Sequence, residues 1–184
     1  MKILTKNLLY HCVHFRSCLF ILVLGSLVYG NHLQNPFQFD TVAYITNHHR
    51  LDNINDQLNI NYFWKEFFHR GLLQISLAFN VHLDGFRTFG YHLFNLSLHL
   101  INSVLVYFIT FRIWCYLRLI DCQRNNDEIR FVAIFTAVLF LIHPIQTESV
   151  VYIMSRSEVF AGTFYLSSFL LFQTYLVRER PVKT

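Results

Sequence analysis

Apolar residues gather along this chain into four blocks, 8–30, 89–114, 126–142 and 159–177, separated by polar stretches. A helix that crosses a bilayer needs about 20 mostly apolar residues, so each block predicts a membrane-spanning helix. The third is short. Its run 131–142, apolar apart from Thr136, gives about 18 Å of helix, and counting back to Asn126 gives about 26 Å. Pro144 then opposes a straight continuation, so this helix is expected to end below the membrane surface. The polar island that follows, 143–158, would then sit in a recess. In the long stretch 31–88, Phe63, Phe67, Phe68, Leu72, Ile75 and Phe79 recur close to the helical period, with Lys65, Glu66, His69 and Arg70 between them. That pattern predicts an amphipathic helix lying along the interface. The asparagine-rich 52–61 reads as loop. The expected fold is an all-α, polytopic membrane bundle of about four transmembrane helices, with an interfacial helix in a long outer loop and no internal repeat.

Composition supports the membrane reading. Only 14% of the 184 residues are charged, against about 25% in an ordinary soluble domain, and mean hydropathy is +0.35. The net charge of +4 makes no case for nucleic-acid binding. Its distribution is more telling. Lys2, Lys6 and Arg16 flank the start of the first block, Arg112, Arg118, Arg124 and Arg130 crowd the link 115–125 and its borders, and Arg178, Arg180 and Lys183 follow the fourth. Four single crossings put all three groups on one side, which the positive-inside rule makes cytoplasmic. The stretches 31–88 and 143–158 then share the outer side, periplasm or lumen, in a multi-pass protein of the bacterial inner membrane or the endoplasmic reticulum. A cleaved signal peptide is the competing reading of the first block, because Val28-Tyr-Gly30 loosely resembles a cleavage site. Cys12, Cys18, Cys115 and Cys122 show no paired spacing, and none is expected in a disulfide.

Candidate chemistry concentrates in the island. Charges beside hydrocarbon cost roughly 2.5–3.5 kcal/mol each at a bilayer centre, so Glu148, Arg156 and Glu158 mark a site or its supports. Ser155 and Glu158 have capping-box spacing. Arg156, close to a helix start, suits either a phosphate clamp or a salt bridge to Glu148. In the second block His92, Asn95, His99 and Asn102 share one helix face. They serve either as interhelical hydrogen-bonding glue or as the lining of a polar cavity. No carboxylate or cysteine joins these histidines at usable spacing, so neither a metal nor a cofactor is expected. Asp40, ten residues beyond the first block, is either a loop or helix-cap residue or a catalytic one.

These segments, in order, carry a resemblance. Asn35-Pro-Phe with Phe39-Asp, Arg70-Gly-Leu-Leu-Gln-Ile-Ser-Leu-Ala-Phe-Asn80, Phe89-Gly-Tyr-His-Leu-Phe-Asn95 with Leu98-His99, and His143-Pro-Ile-Gln-Thr-Glu-Ser-Val150 with Ser155-Arg-Ser-Glu158 resemble the amino-terminal membrane region of the transmembrane and tetratricopeptide repeat-containing O-mannosyltransferases and their bacterial relatives. The resemblance implies a GT-C glycosyltransferase that moves a sugar, with mannose a candidate, from a polyprenyl-phosphate donor to a protein hydroxyl. Asp40 would be the base, Arg156 and Arg70 would face the leaving phosphate, and His143, Gln146, Glu148, Glu158, His92 and Asn95 would line the site. Asp40 and Arg156 are then expected at one cavity. Thr41 departs from the family, which has a second acid there, and Gly71 stands where proline is common. The relatives continue through further spans and helical repeats, so this chain by itself is expected to be incomplete and inactive. A membrane interaction protein that kept the fold without the chemistry remains an alternative, as does a small transporter subunit.

Overall fold

In this computed structural model residues 2–47, 71–120 and 125–179 are described, and every regular element among them is helical. In chain order these are α1 (Lys2–Tyr29), a 3-10 turn (Gly30–His32), α2 (Asp40–Asn47), α3 (Gly71–Asp84), α4 (Thr88–Ile120), α5 (Asn126–Ile142), α6 (Gln146–Val151), a second 3-10 turn (Ile153–Ser155) and α7 (Arg156–Glu179). Among the described residues, three helical segments are long and apolar enough to cross a membrane: Val13–His32, Thr88–Leu117 and Ile153–Leu176. The third expected span, α5, has 17 residues, which agrees with the short run in the sequence. α4 runs to Ile120, beyond the 114 expected, because 115–120 holds no glycine or proline to stop it. Arg70 and the 63–70 part of the expected interfacial helix lie outside the described residues.

The chain forms two compact units. The first comprises Met1–Val28, Leu100–His143 and Gly162–Thr184. Its core joins Ile21 of α1, Tyr107 and Phe111 of α4, and Ile129, Ala133, Ala137 and Leu141 of α5. The α5 residues form a four-residue stripe whose two alanines are fully buried, and small side chains there let neighbouring helices approach closely. Phe131, Phe135 and Leu139 on the same helix are exposed, as suits a face turned to lipid. An asparagine–glutamate capping box at Asn125 and Glu128 starts α5. Early α1 meets late α4, where the His14 ring lies edge-on to Phe111 with centroids 4.7 Å apart. Late α1 meets early α4 and late α5, since a Cβ at Gly25 would collide with Leu100 and come 3.0 Å from Leu141. So α1 is antiparallel to α4 and parallel to α5. Arg16 and Arg130 line a common cavity where the start of α5 meets the middle of α1, and Arg112 of α4 lies toward the same end of the unit, one residue beyond the Phe111 that meets His14.

The second unit comprises Tyr29–His99 and Pro144–Ala161. Ile45, Leu73, Leu77, Ala78, Tyr91 and Ile153 form its core, with Phe37, Val81 and Met154 against them. α3 therefore packs on protein through Leu73, Leu77 and Ala78, while its Leu72, Phe79 and Leu83 are exposed. Gly85 closes α3 at φ +60, the left-handed conformation that only glycine takes without strain. Pro144 acts as expected. His143 is extended at φ −61, ψ 130, α5 stops, and the chain turns through α6 and the second 3-10 turn into α7. α2 packs against that 3-10 turn.

Candidate functional site

The polar island and the segment after α1 meet in the second unit. A cavity of about 520 Å³ is lined by Gln38, Phe39, Asp40, Thr147, Glu148, Val151 and Tyr152. Asp40 opens α2 and is exposed, so its carboxylate adjoins the helix N-terminus, where negative charge is favoured. Glu148 stands in the first turn of α6, also exposed. The backbone N–H of Tyr152 donates to the Glu148 carbonyl at 2.9 Å, which closes α6 and holds the two residues one turn apart. Phe39 has φ 50, a left-handed conformation that costs a bulky residue about 1–3 kcal/mol and recurs at functional sites. Its ring sits edge-on to Tyr152 at 6.0 Å. Two carboxylates and two aromatic rings thus border one open space, chemistry suited to a hydroxyl-bearing ligand.

Arg156 lies elsewhere. It is fully buried and does not line the cavity, contrary to the expected approach of Asp40 and Arg156 to one pocket. Its Nε donates to Asn95 Oδ1 at 2.7 Å, Nη1 to Ser76 Oγ at 3.1 Å and Nη2 to the Tyr91 carbonyl at 3.1 Å. The guanidinium carbon rests 4.4 Å from the centre of the Phe94 ring, a cation–π contact. Among the described residues it makes no ion pair with Glu148 or any other acid. Ser76 in turn donates to the Leu73 carbonyl at 2.8 Å, and Asn95 donates to the Tyr152 carbonyl at 3.4 Å. Arg156 therefore ties α3, α4 and α7 together, and Asn95 extends the network to the backbone of a cavity-lining residue.

The other expected site residues take varied places. His92 is buried, and its Nε2 donates to the Asn35 carbonyl at 3.0 Å. That bond fixes the tautomer and tethers the segment before α2 to α4. Asn95 serves Arg156. His143 and Glu158 are exposed, Gln146 is half-buried, and none of the three lines the cavity. Arg70 is outside the described residues. Thr147, Val151, Tyr152, Gln38 and Phe39 were missed as lining residues, and Ser76, Tyr91 and Phe94 as partners of Arg156. A signal for the latter was present: Ser76, Tyr91, Phe94, Asn95 and Arg156 all fall within the motif segments. Thr41 is fully buried, with no hydrogen-bond partner for its hydroxyl.

Comparison with known proteins agrees with the motifs. The chain is 30% identical over 162 residues to protein O-mannosyl-transferase TMTC1 of Mus musculus, covering 82% of the chain and 16% of that protein. It is 29% identical over 163 residues to the TMTC1 of Homo sapiens, covering 82% and 17%. With protein O-mannosyl-transferase Tmtc3 of Drosophila melanogaster the identity is 29% over 172 residues, covering 82% and 18%. The chain is a distant homologue of these O-mannosyl-transferases. It spans under a fifth of the length of each. No protein-family model matches the chain, and no solved structure matches it significantly. The motif segments that carried the O-mannosyltransferase resemblance converge on Arg156 and on the Asp40–Glu148 cavity, although they are dispersed between residues 35 and 158.

Proposed function

We propose that this chain supplies the acceptor side of a GT-C-type glycosyltransferase, in which a protein hydroxyl attacks a sugar, mannose in the first instance, carried on a polyprenyl phosphate. Asp40 takes the hydroxyl proton as the oxygen attacks the anomeric carbon and the lipid phosphate departs from the opposite face. Glu148 offers a second acceptor that orients the hydroxyl. One observation carries this reading: Asp40 and Glu148, 108 positions apart in the sequence, border the same cavity. The departing phosphate needs a cation. Arg156 has all three nitrogens engaged and is assigned a positioning role; Arg70 remains the candidate for the phosphate.

The test replaces the matching segment of mouse TMTC1 with this chain and follows mannose transfer from polyprenyl-phosphate mannose to protein. Asp40→Asn should lower the rate by about 10²–10⁴-fold, the usual loss of a general base, with the melting point unchanged. A fully active Asp40→Asn chimera would end this reading. One observation favours the alternative of a fold kept without chemistry: the residue beside Asp40, acidic in the family pattern, is here the buried Thr41. A chimera that folds and binds the donor but transfers nothing would establish that alternative.

A further inference from the structure

A second cavity lies in the first unit, where the start of α5 meets the middle of α1. It holds about 270 Å³ and is lined by Val13, Arg16, Ser17, Phe20, Arg130 and Ile134. Two arginines from two parallel helices therefore flank one opening, and no carboxylate lines it. Arg16 is exposed. The Arg130 side chain is 32% exposed and pairs at 2.8 Å with Asp127, whose own side chain is 73% exposed. So exposed a pair, three residues apart on one helix, holds Arg130 only weakly. Ser17 turns its hydroxyl onto the Val13 carbonyl at 3.1 Å, which leaves the arginines as the charged groups of the cavity. Val13, Phe20 and Ile134 make the remaining wall apolar, and α1 continues past the cavity with Leu19, Phe20 and Val23 exposed. Arg112, at the same end of the unit, instead donates to the Thr174 hydroxyl and does not line the cavity.

We propose that this cavity binds the headgroup phosphate of an anionic phospholipid. The two guanidinium groups take the phosphate oxygens through their forked donors, and Val13, Phe20 and Ile134 receive the first carbons of the acyl chains. Basic pockets between membrane helices are suited to such headgroups. A free phosphate would satisfy the arginines but leave the apolar wall uncovered, and the cavity opens beside a helix face suited to lipid.

The chain is purified into nanodiscs of phosphatidylcholine doped with phosphatidylglycerol, and bound lipid is counted by native mass spectrometry. One phosphatidylglycerol per chain should be retained in preference to phosphatidylcholine. Arg16→Gln and Arg130→Gln should each weaken that preference about fivefold, and the double variant should lose it. Asp127→Asn, which removes a negative charge 2.8 Å from the Arg130 guanidinium and so a repulsion on the lipid phosphate, should strengthen it. That gain tests the site even where a glutamine variant folds poorly, and its absence counts against the proposal. Arg112→Gln should leave the preference within about twofold, whereas an equal loss there would show a diffuse basic field and overturn the site. Retention by the double variant, or displacement of the lipid by inorganic phosphate in the buffer, would overturn it as well.

Discussion

Replacing Arg156 by lysine separates two roles for this residue. Lysine keeps the positive charge but has a single nitrogen, which cannot reach Asn95 Oδ1, Ser76 Oγ and the Tyr91 carbonyl together. Hydrogen bonds from a charged donor contribute about 1.5–3 kcal/mol each. Losing one or two of the three, with a buried acceptor left unpaired, predicts a loss of about 2–4 kcal/mol for Arg156→Lys. Arg156→Ala, which strands all three acceptors and the Phe94 ring, should lose about 3–5 kcal/mol. For a chain of this size the lysine variant should melt about 5–15 °C lower, measured by circular dichroism in nanodiscs. A double-mutant cycle with Asn95→Ala should show a coupling of about 0.5–3 kcal/mol, because the two residues share a bond. A phosphate clamp behaves differently: Arg156→Lys would leave the melting point alone and weaken donor binding. A lysine variant that melts within about 1 °C of the unmodified chain would refute the positioning role.

Thr41→Val should be neutral or stabilising by about 1 kcal/mol, since it removes a buried hydroxyl that has no partner. Thr41→Asp should lower the melting point sharply without increasing mannose transfer in the chimera, because the carboxylate would be buried away from the cavity. A gain of transfer would show that position 41 does reach the site. Gly90→Ala should stay within about 1 kcal/mol of neutral, because its Cβ meets only the Asp84 side chain, whose carboxylate end can turn away, while alanine favours the helix. A thermal melt showing a larger loss would mean that the Asp84 carboxylate is held in place.

Much of the architecture is legible in local pattern. The apolar blocks, the halt of α5 before Pro144, the short length of α5 and the clustering of arginines follow from composition, periodicity and the stereochemistry of one proline. Each depends on residues within a few turns of one another, so each can be read along the chain. The stripe of His92, Asn95, His99 and Asn102 was legible as one helix face, and all four are buried. Whether such residues line a cavity or hold helices together depends on what faces them, and periodicity carries no record of that.

The site shows the same division. A charge beside a hydrophobic run marks Arg156 as unusual, but that signal is the same for a ligand clamp and for a buried tie. Only the fold brings Ser76 from 80 residues away and Asn95 from 61 to within 3.1 Å of the guanidinium, and so assigns it to the tie. The fold likewise sets Asp40 beside Glu148 and turns Thr41 inward. Sequence by itself determined that polar groups would be held near hydrocarbon, because their spacing is local. Which of them meet was decided by tertiary structure, because hydrogen bonds form only where folding brings donor and acceptor within about 3 Å.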